Sequence, residues 1–560
     1  MVCATRSSAQ QDTTRTVVKC TGQRISGITV YSSAPTVAGA RRIRILGSIA
    51  RAFHVTTRPD LVRRFLLMDV GDQCTEFRRT ESERILRAQP FLADASVVPL
   101  ADDSGTVALE VRTIDEASVV IGAHASTSAP FLTVFRFGNS NLNGEGIYLA
   151  GEWESGGAYR DGFGARMTDY QWLGRPYVLT LEARRTPLGY AWNTDASHPF
   201  LTDLQRIAWT TRSGAIQDYV QFEPVKGTVH GVKVLQKFFD VGGIIRVGPP
   251  GRLSLFGASV TGDRDVPDTT SVLITGDGFR PDTSTVFENR YQSHRIARVN
   301  ALWGVRDIGY VRVRGFDALS GVQDLPVGFQ VGALFGRSLS VLGSKDDDIF
   351  MAADVYIGSG GPNAAFRMQL QGEGRRSNDE TMWDGILTNG RAAEYIKLSE
   401  AQTLILSGAF SGGWNVRTPF RLTFGATEGG LRGYHNSIEL GGQRAIWGVE
   451  DRRFVGRPLG LADVGFAVFA DAGRLWAGDV PFGATTPIMS SVGVSLLGTV
   501  PPRSTRLWRL DISMPLSRPH AYGLEFRVSS SDNTTFFWRE PSDVRGARER
   551  TLPSSIFSWP

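Results

Sequence analysis

Between residues 116 and 530 the chain alternates apolar and polar positions in short runs broken by Gly, Asp and Asn, the period-two pattern of β-strands. In the run from Ile147 to Glu154, Ile147, Leu149 and Trp153 share one face while Tyr148, Glu152 and Glu154 share the other. Tyr177, Leu179, Leu181 and Ala183 likewise oppose Val178, Thr180, Glu182 and Arg184, and Trp508, Leu510, Ile512 and Met514 oppose Arg509, Asp511 and Ser513. One apolar face per strand fits a soluble antiparallel sheet with one wet side, or a membrane barrel with lipid outside and water inside. Inward charges of opposite sign at consecutive positions, Arg509 with Asp511 and Glu525 with Arg527, favour the hydrated lumen. At roughly 26 residues per strand and connection, the region predicts about 16 strands, and closure removes the edges that a large open sheet would expose.

The first part of the chain has a different pattern. Gln23 to Val30 alternates as a strand, and Pro59 opens a helical spacing that runs from Arg58 towards Gly71-Asp72. A second amphipathic helix is expected from Phe77 to Gln89, with Phe77, Ile85 and Leu86 on one face and Pro90 closing it. Two further strands follow, at Ala95-Ser-Val-Val-Pro-Leu and Thr106-Val-Ala-Leu-Glu-Val-Arg, joined by the turn signal Asp102-Asp-Ser-Gly. The expected organisation is a disordered segment at 1–21, a small α+β domain of βααββ order at 22–115, a barrel at 116–530 and a tail at 531–560.

Composition narrows the function. The 61 basic and 56 acidic residues are scattered along the chain, which does not make the clustered basic face of a nucleic-acid binder. No run of 18 apolar residues supports a helical membrane span, which leaves a barrel open. The start, Met1-Val-Cys-Ala-Thr-Arg-Ser-Ser, carries no apolar segment of the kind an export signal needs. Cys20 and Cys74 flank one small domain and are candidates for a disulfide in an oxidising compartment, with two inert small residues as the alternative; Cys3 falls in the leading segment.

The seven histidines show no close metal-ligand spacing, and no Cys-x-x-Cys occurs. Gly257-Ala-Ser-Val lacks the second glycine of a nucleophile elbow, and no nucleophile, base and orienter can be assembled. Lys345-Asp-Asp-Asp lacks calcium-loop spacing and reads as a solvated tip. The chain is therefore expected to be neither an enzyme nor a metal or cofactor protein.

Gly430-Leu431-Arg432-Gly433-Tyr434, followed by Trp447-Gly-Val-Glu450 and then Gly465-Phe-Ala-Val-Phe-Ala-Asp471-Ala-Gly473, resembles the loop-and-wall signature of the BamA/TamA superfamily of outer-membrane insertases and secretion pores. The βααββ order at 22–115 resembles a POTRA domain, with a longer connection at about 32–56 than that pattern usually has. After Tyr434 five strands are expected, at about 441–450, 463–473, 488–497, 505–515 and 520–530. That count makes the motif the connection between strands 11 and 12 of a 16-stranded barrel. Val313-Arg314-Gly315-Phe316 fits the same letters but precedes too many strands, so Arg314 reads as an ordinary strand or turn residue.

Strand alternation independently turns Ala445, Trp447 and Val449 outward and Gly448 and Glu450 inward, with Phe466, Val468 and Ala470 outward and Asp471 and Gly473 inward. Arg432 at a folded-in loop tip is then expected to bridge Glu450 and Asp471, since a guanidinium fork matches carboxylate geometry. Gly433 would permit close approach or a positive φ, and Tyr434 would pack its ring and bond its hydroxyl.

The resemblance implies an outer-membrane protein whose periplasmic POTRA domain receives unfolded outer-membrane or secreted polypeptides, with outer-membrane lipids and periplasmic accessory proteins as further partners. It also implies a weak seam between the first barrel strand, about 117–127, and the last, about 520–530, which carries Tyr522, Gly523, Leu524, Phe526 and Val528. Insertion through that seam is the first reading. A two-partner-type secretion pore and a passive channel are the alternatives, because a single POTRA domain fits neither active subgroup well. Residues 531–560 extend past the terminal strand and read as an extra periplasmic segment.

Overall fold

A computed structural model of the chain describes residues 16–35, 55–102, 105–127, 131–155, 161–276, 278–378, 382–426, 429–517, 523–531, 538 and 540–548. The first elements are β1 (Thr21–Ser33), α1 (Pro59–Arg63), β2 (Gln73–Thr75), α2 (Glu76–Arg87), β3 (Leu92–Ala101) and β4 (Val107–Asp115). Their sheet runs β2-β1-β4-β3, with β1 parallel to β4 and β3 antiparallel to it. Pro59 starts α1, and the Thr75 hydroxyl caps α2 by accepting from the Arg78 amide at 3.4 Å. Leu61, Val62, Ile85, Leu86, Val97 and Val111 pack into one core between helices and sheet.

Two details differ from the sequence pattern, and the open choice at the cysteines is resolved. Helix α1 ends at Arg63, well before Gly71, and the short β2 follows it. Phe77 is exposed instead of sharing the face of Ile85 and Leu86; at about 100° per residue it stands roughly opposite Leu86 on the helix. Cys20 and Cys74 form a disulfide, with Cα atoms 4.9 Å apart, where β2 pairs with the start of β1. Cys3 and most of the long connection after β1 lie outside the described residues.

The remaining strands close on themselves. They are β5 (Val119–Ser126), β6 (Leu132–Asn139), β7 (Ile147–Glu154), β8 (Gly162–Trp172), β9 (Tyr177–Thr186), β10 (Gly189–His198), β11 (Ile207–Val225), β12 (Thr228–Val247) and β13 (Leu253–Pro267). A hairpin of β14 (Val272–Thr275) and β15 (Gly278–Pro281) pairs with the start of β12 beyond the end of β13 and is not counted as wall, because β13 pairs directly with β16 (His294–Arg314). Then come β17 (Val322–Ser338), β18 (Asp348–Gly360), β19 (Ala364–Ser377), β20 (Asp384–Ser399) and β21 (Gln402–Trp414). After two short strands inside the next loop, β22 (Leu422–Thr423) and β23 (Leu440–Gly441), the wall resumes with β24 (Gln443–Gly456), β25 (Asp463–Trp476), β26 (Met489–Thr499), β27 (Leu507–Pro515) and β28 (Glu525–Ser531).

Strand β28 pairs back onto β5, giving an antiparallel barrel of twenty wall strands, not sixteen. The excess arises early in the barrel. Strands β5 to β10 are only eight to eleven residues long and are closely spaced, so six strands fit within Val119–His198 and the assumed spacing of strand plus connection was too long.

The outer face exposes Phe135, Phe137, Leu149, Trp192, Trp303, Phe335, Trp447 and Phe466, whereas Arg298, Arg444, Asp240, Asp348 and Asp471 are buried within. An apolar outside around a charged inside is suited to hydrocarbon and unsuited to water. The N-terminal unit sits across one mouth, called the near mouth below. There Arg87 donates to both Asp324 oxygens at 2.8 and 2.9 Å, Arg84 donates to the Leu201 carbonyl at 2.6 Å, and Arg506 donates to the Pro90 carbonyl at 2.8 Å.

Candidate functional site at the inner loop

The chain between β21 and β24 leaves the far mouth and folds down inside the barrel. Its two short strands pair Leu422 with Gly441 and Thr423 with Leu440, closing the base of the loop. Phe424, Leu431, Tyr434 and Leu440 are buried against Leu475 and Met489 of the wall, so the loop carries its own apolar anchor. The Leu431 amide donates to the Phe424 carbonyl at 2.9 Å and the Tyr434 amide to the Leu431 carbonyl at 3.2 Å, turning the tip back on itself. Gly430 lies so close to the loop backbone that a Cβ would stand 2.3 Å from the Ala426 carbonyl oxygen. Gly433 has φ +87, in the left-handed region that favours glycine.

This fold delivers Arg432 to the wall. Its Nε and Nη2 donate to the two oxygens of Asp471 at 2.5 and 2.8 Å, and its Nη1 donates to Glu450 at 3.1 Å. The wall makes room with glycine. A Cβ on Gly448, the ladder partner of Asp471, would sit 2.9 Å from the Asp471 carboxylate, and one on Gly473 would sit 2.9 Å from the Phe424 ring.

Glu450 is shared more widely than the sequence motif indicates. Arg509 of β27 donates to both its oxygens at 2.9 and 3.2 Å, and Arg452, two positions along β24 on the same inward face, donates at 2.9 Å. Three guanidinium groups thus meet Glu450, Asp471 and Asp511, the last held by Arg509 at 3.1 Å. The three positive and three negative charges balance, and the side chains are mostly buried, Arg432 and Arg509 being the most exposed at 18% and 17%. Such a buried network fixes geometry more than it adds stability, because desolvation offsets much of the attraction.

Arg452 also links the cluster to the near mouth, where its Nη1 donates to the carbonyls of Phe316 at 2.7 Å and Asp317 at 2.8 Å. Arg314 itself ends β16 with an exposed side chain. The residues after it turn inward: Phe316 is buried and stacks on Tyr395, with ring centroids 5.3 Å apart. The sequence reading missed this second inward loop. The position of Arg452, in phase with Glu450, was an available signal for the third arginine; nothing local marked Phe316-Asp317 as internal.

On its other side the loop reaches the seam. The Tyr434 hydroxyl donates to the Ser490 carbonyl at 2.7 Å and accepts from the Ser517 amide at 3.2 Å. The His435 amide donates to Glu525 of β28 at 3.1 Å, and His435 Nε2 lies 2.9 Å from the Thr133 hydroxyl of β6. One tip therefore touches both sides of the closure. The β28–β5 ladder matches only Glu525 to Val528 with Ala123 to Ser126, fewer residue pairs than any other wall ladder among the described residues.

The closing strand starts later than the sequence pattern placed it. Gly523 and Leu524 precede β28, and Tyr522 lies outside the described residues. Leu524 nevertheless prolongs the contact, its carbonyl accepting from the Thr127 amide and its amide donating to the Thr127 hydroxyl, both at 2.9 Å. Phe526 and Val528 pair with Ala125 and Ala123.

The described part of the tail returns into the lumen, contrary to the expected periplasmic segment. Helix α3 (Ser542–Ala547) lies beneath the inner loop, with Val544 buried beside Leu422, Phe424 and Leu431. The acidic run after Lys345 also departs from a free tip: Asp346 faces Arg417, Asp347 faces Arg337, and Asp348 faces Arg298.

No protein-family model matches the chain, and no curated protein matches it in sequence. Among solved structures, CdiB from Escherichia coli is similar over 94% of this chain and 92% of its own, with 10% identity and a TM-score of 0.44. CdiB from Acinetobacter baumannii is similar over 91% and 74%, with 9% identity and a TM-score of 0.41. BamA from Haemophilus ducreyi lacking POTRA domains 1–3 is similar over 85% and 82%, with 13% identity and a TM-score of 0.39.

Proposed function

We propose that the protein is a bacterial outer-membrane assembly factor that receives unfolded polypeptide at its N-terminal unit, read as a POTRA domain in the periplasm, and passes it into the membrane through the β28–β5 seam. The observation that carries this reading is the inner loop: Arg432 pins it to β24 and β25 while His435 touches both sides of the shortest wall ladder among the described residues. A loop so placed couples the arginine cluster to seam opening without any catalytic step or cofactor. Its substrates are outer-membrane or secreted chains, its solvent is outer-membrane lipid, and periplasmic accessory proteins would deliver the clients.

Capture by strand addition needs a sheet edge with free main-chain groups. The β3 edge is largely taken, since Glu83 accepts from the Val97 amide at 3.0 Å, Arg79 donates to the Val97 carbonyl at 3.0 Å, and the Val18 amide donates to the Pro99 carbonyl at 3.0 Å. On the outer side of β1, Ile25 is bonded to Asp72 and Gly71, and the Ile28 carbonyl accepts from Arg63 at 2.6 Å; beyond Ile28 no described strand covers it, which makes that stretch the receiving edge in this proposal.

The test is the rate at which an unfolded β-barrel client folds into lipid vesicles containing the protein, with Arg432→Ala alongside. Acceleration that the substitution abolishes supports the proposal. No acceleration by correctly folded protein would turn the reading to a secretion pore through the lumen, which the presence of a chain segment inside the barrel independently favours.

A further inference from the structure

The tail is held in the lumen by three contacts of different chemistry at regular spacing. The Trp538 ring lies under the Arg367 guanidinium, 4.4 Å from carbon to ring centroid, near the mouth covered by the N-terminal unit. Five residues on, Asp543 accepts from Arg444 at 2.6 and 3.1 Å. Another five residues on, Arg548 donates to Glu373 at 2.7 Å. Arg444 and Glu373 are each 2% exposed at the side chain; Arg444 also donates to the Thr423 carbonyl of the inner loop, and Arg548 also donates to Glu540 of the tail at 2.9 Å, so the tail contributes a charged partner to each of two buried wall charges. Between the stations Val544 is buried under the inner loop, and Pro541 packs so closely on Gly429 that a Cβ there would meet it at 2.5 Å.

A wall that buries an arginine and a glutamate without partners is costly, and each here has a partner on the tail. Along the tail the wall presents a cation, a second cation and an anion to a ring, a carboxylate and a guanidinium. We infer that the lumen contains a polypeptide-binding track selective for an aromatic, an acidic and an arginine residue at five-residue intervals, and that residues 538–548 are its resident occupant. A passing segment of that pattern competes with the tail, and the tail closes the lumen whenever no competitor is present. The inference rests on the polypeptide-route reading only for the identity of the natural competitor.

The test uses no client assembly, so its failure is distinguishable from failure of the insertase reading. In full-length protein carrying Cys3→Ser and Val544→Cys, a membrane-impermeant maleimide should label residue 544 slowly compared with the same protein in denaturant. Arg444→Asp should speed labelling by on the order of tenfold or more, the scale of a lost charge-assisted bond, and Arg444→Asp with Asp543→Arg should restore protection.

A fluorescent peptide of residues 536–550 should bind a folded chain ending at Ser531 and bind the full-length chain at least about tenfold more weakly, with a scrambled peptide binding neither. Labelling at the denatured rate, or equal peptide binding to both folded chains, would overturn the proposal. If the shortened chain does not fold, the labelling series decides alone: a charge exchange that fails to restore protection rejects the track.

Discussion

Arg432 lies over Phe469, its guanidinium carbon 3.5 Å from the ring centroid, while Asp471 accepts from two nitrogens of the same group. The arrangement uses a planar cation with a fork of donors, which lysine lacks. Arg432→Lys is therefore expected to behave like Arg432→Ala and slow client folding in vesicles by about 10- to 100-fold. Stripping one partner from a buried pair costs about 3–5 kcal/mol, and relaxation of the loop returns part of it. A lysine variant at the wild-type rate would leave net positive charge as the only requirement at this position.

Gly473 separates the wall from the loop ring. A methyl group there must displace Phe424 and also meets the Ala445 carbonyl oxygen at 3.3 Å, so Gly473→Ala should destabilise the folded-in loop by about 1–3 kcal/mol through overpacking. Gly309→Ala on β16, where a Cβ meets nothing within 4 Å, is the control. The comparison is best made by protease access to the loop. Equal protection in the two variants would show that the loop position does not depend on this contact.

Strands β24 and β25 carry their orientation in the sequence itself. Period-two alternation sets which face of β24 and β25 turns inward, because adjacent side chains must point to opposite sides of a strand. Local pattern alone therefore puts Glu450, Asp471 and Gly473 on the lumen side. Strand number was not legible in the same way: it depends on how short the β5–β10 connections are, and a single average spacing cannot capture that. The Phe316 turn and the tail escaped for a different reason. Their partners, Tyr395, Arg452 and Arg444, are distant in sequence, and neither segment carries a periodic pattern that reports which side of the wall it occupies.

The N-terminal unit is expected to have its own acid sensitivity. Arg79 donates to Glu76 at 2.9 and 2.5 Å in the first turn of α2, and this bond is the main cause holding the Glu76 carboxyl below its ordinary value. A depressed folded-state value stabilises the unit above the unfolded-state pKa, and that contribution is lost as pH falls through the folded-state value. Protection of α2 amides, corrected for intrinsic exchange, should therefore decline below about pH 4.3. Glu76→Gln should flatten part of that decline and leave protection at neutral pH slightly lower than wild type. An unchanged slope would assign the acid response to other groups. The Cys20–Cys74 bond must stay oxidised throughout, because its reduction alone should cost about 2–4 kcal/mol by freeing the intervening chain.

The seam gives the most direct separation of insertion from passage. Ala125 and Phe526 are ladder partners across β5 and β28, so cysteines at both positions, in a Cys3→Ser background, can close the barrel covalently. Oxidation of Ala125→Cys with Phe526→Cys should stop acceleration of client folding, and reduction gentle enough to spare Cys20–Cys74 should restore it. Four matched residue pairs, prolonged by the two Leu524–Thr127 bonds, form the closure at a net of about 0.5–1.5 kcal/mol for each hydrogen bond, and the insertion proposal requires a competing strand to open it. A disulfide removes that option while leaving the lumen, the Arg432 cluster and the tail contacts in place. A locked barrel that still accelerates client folding would exclude the seam as the route and leave the lumen as the path to test.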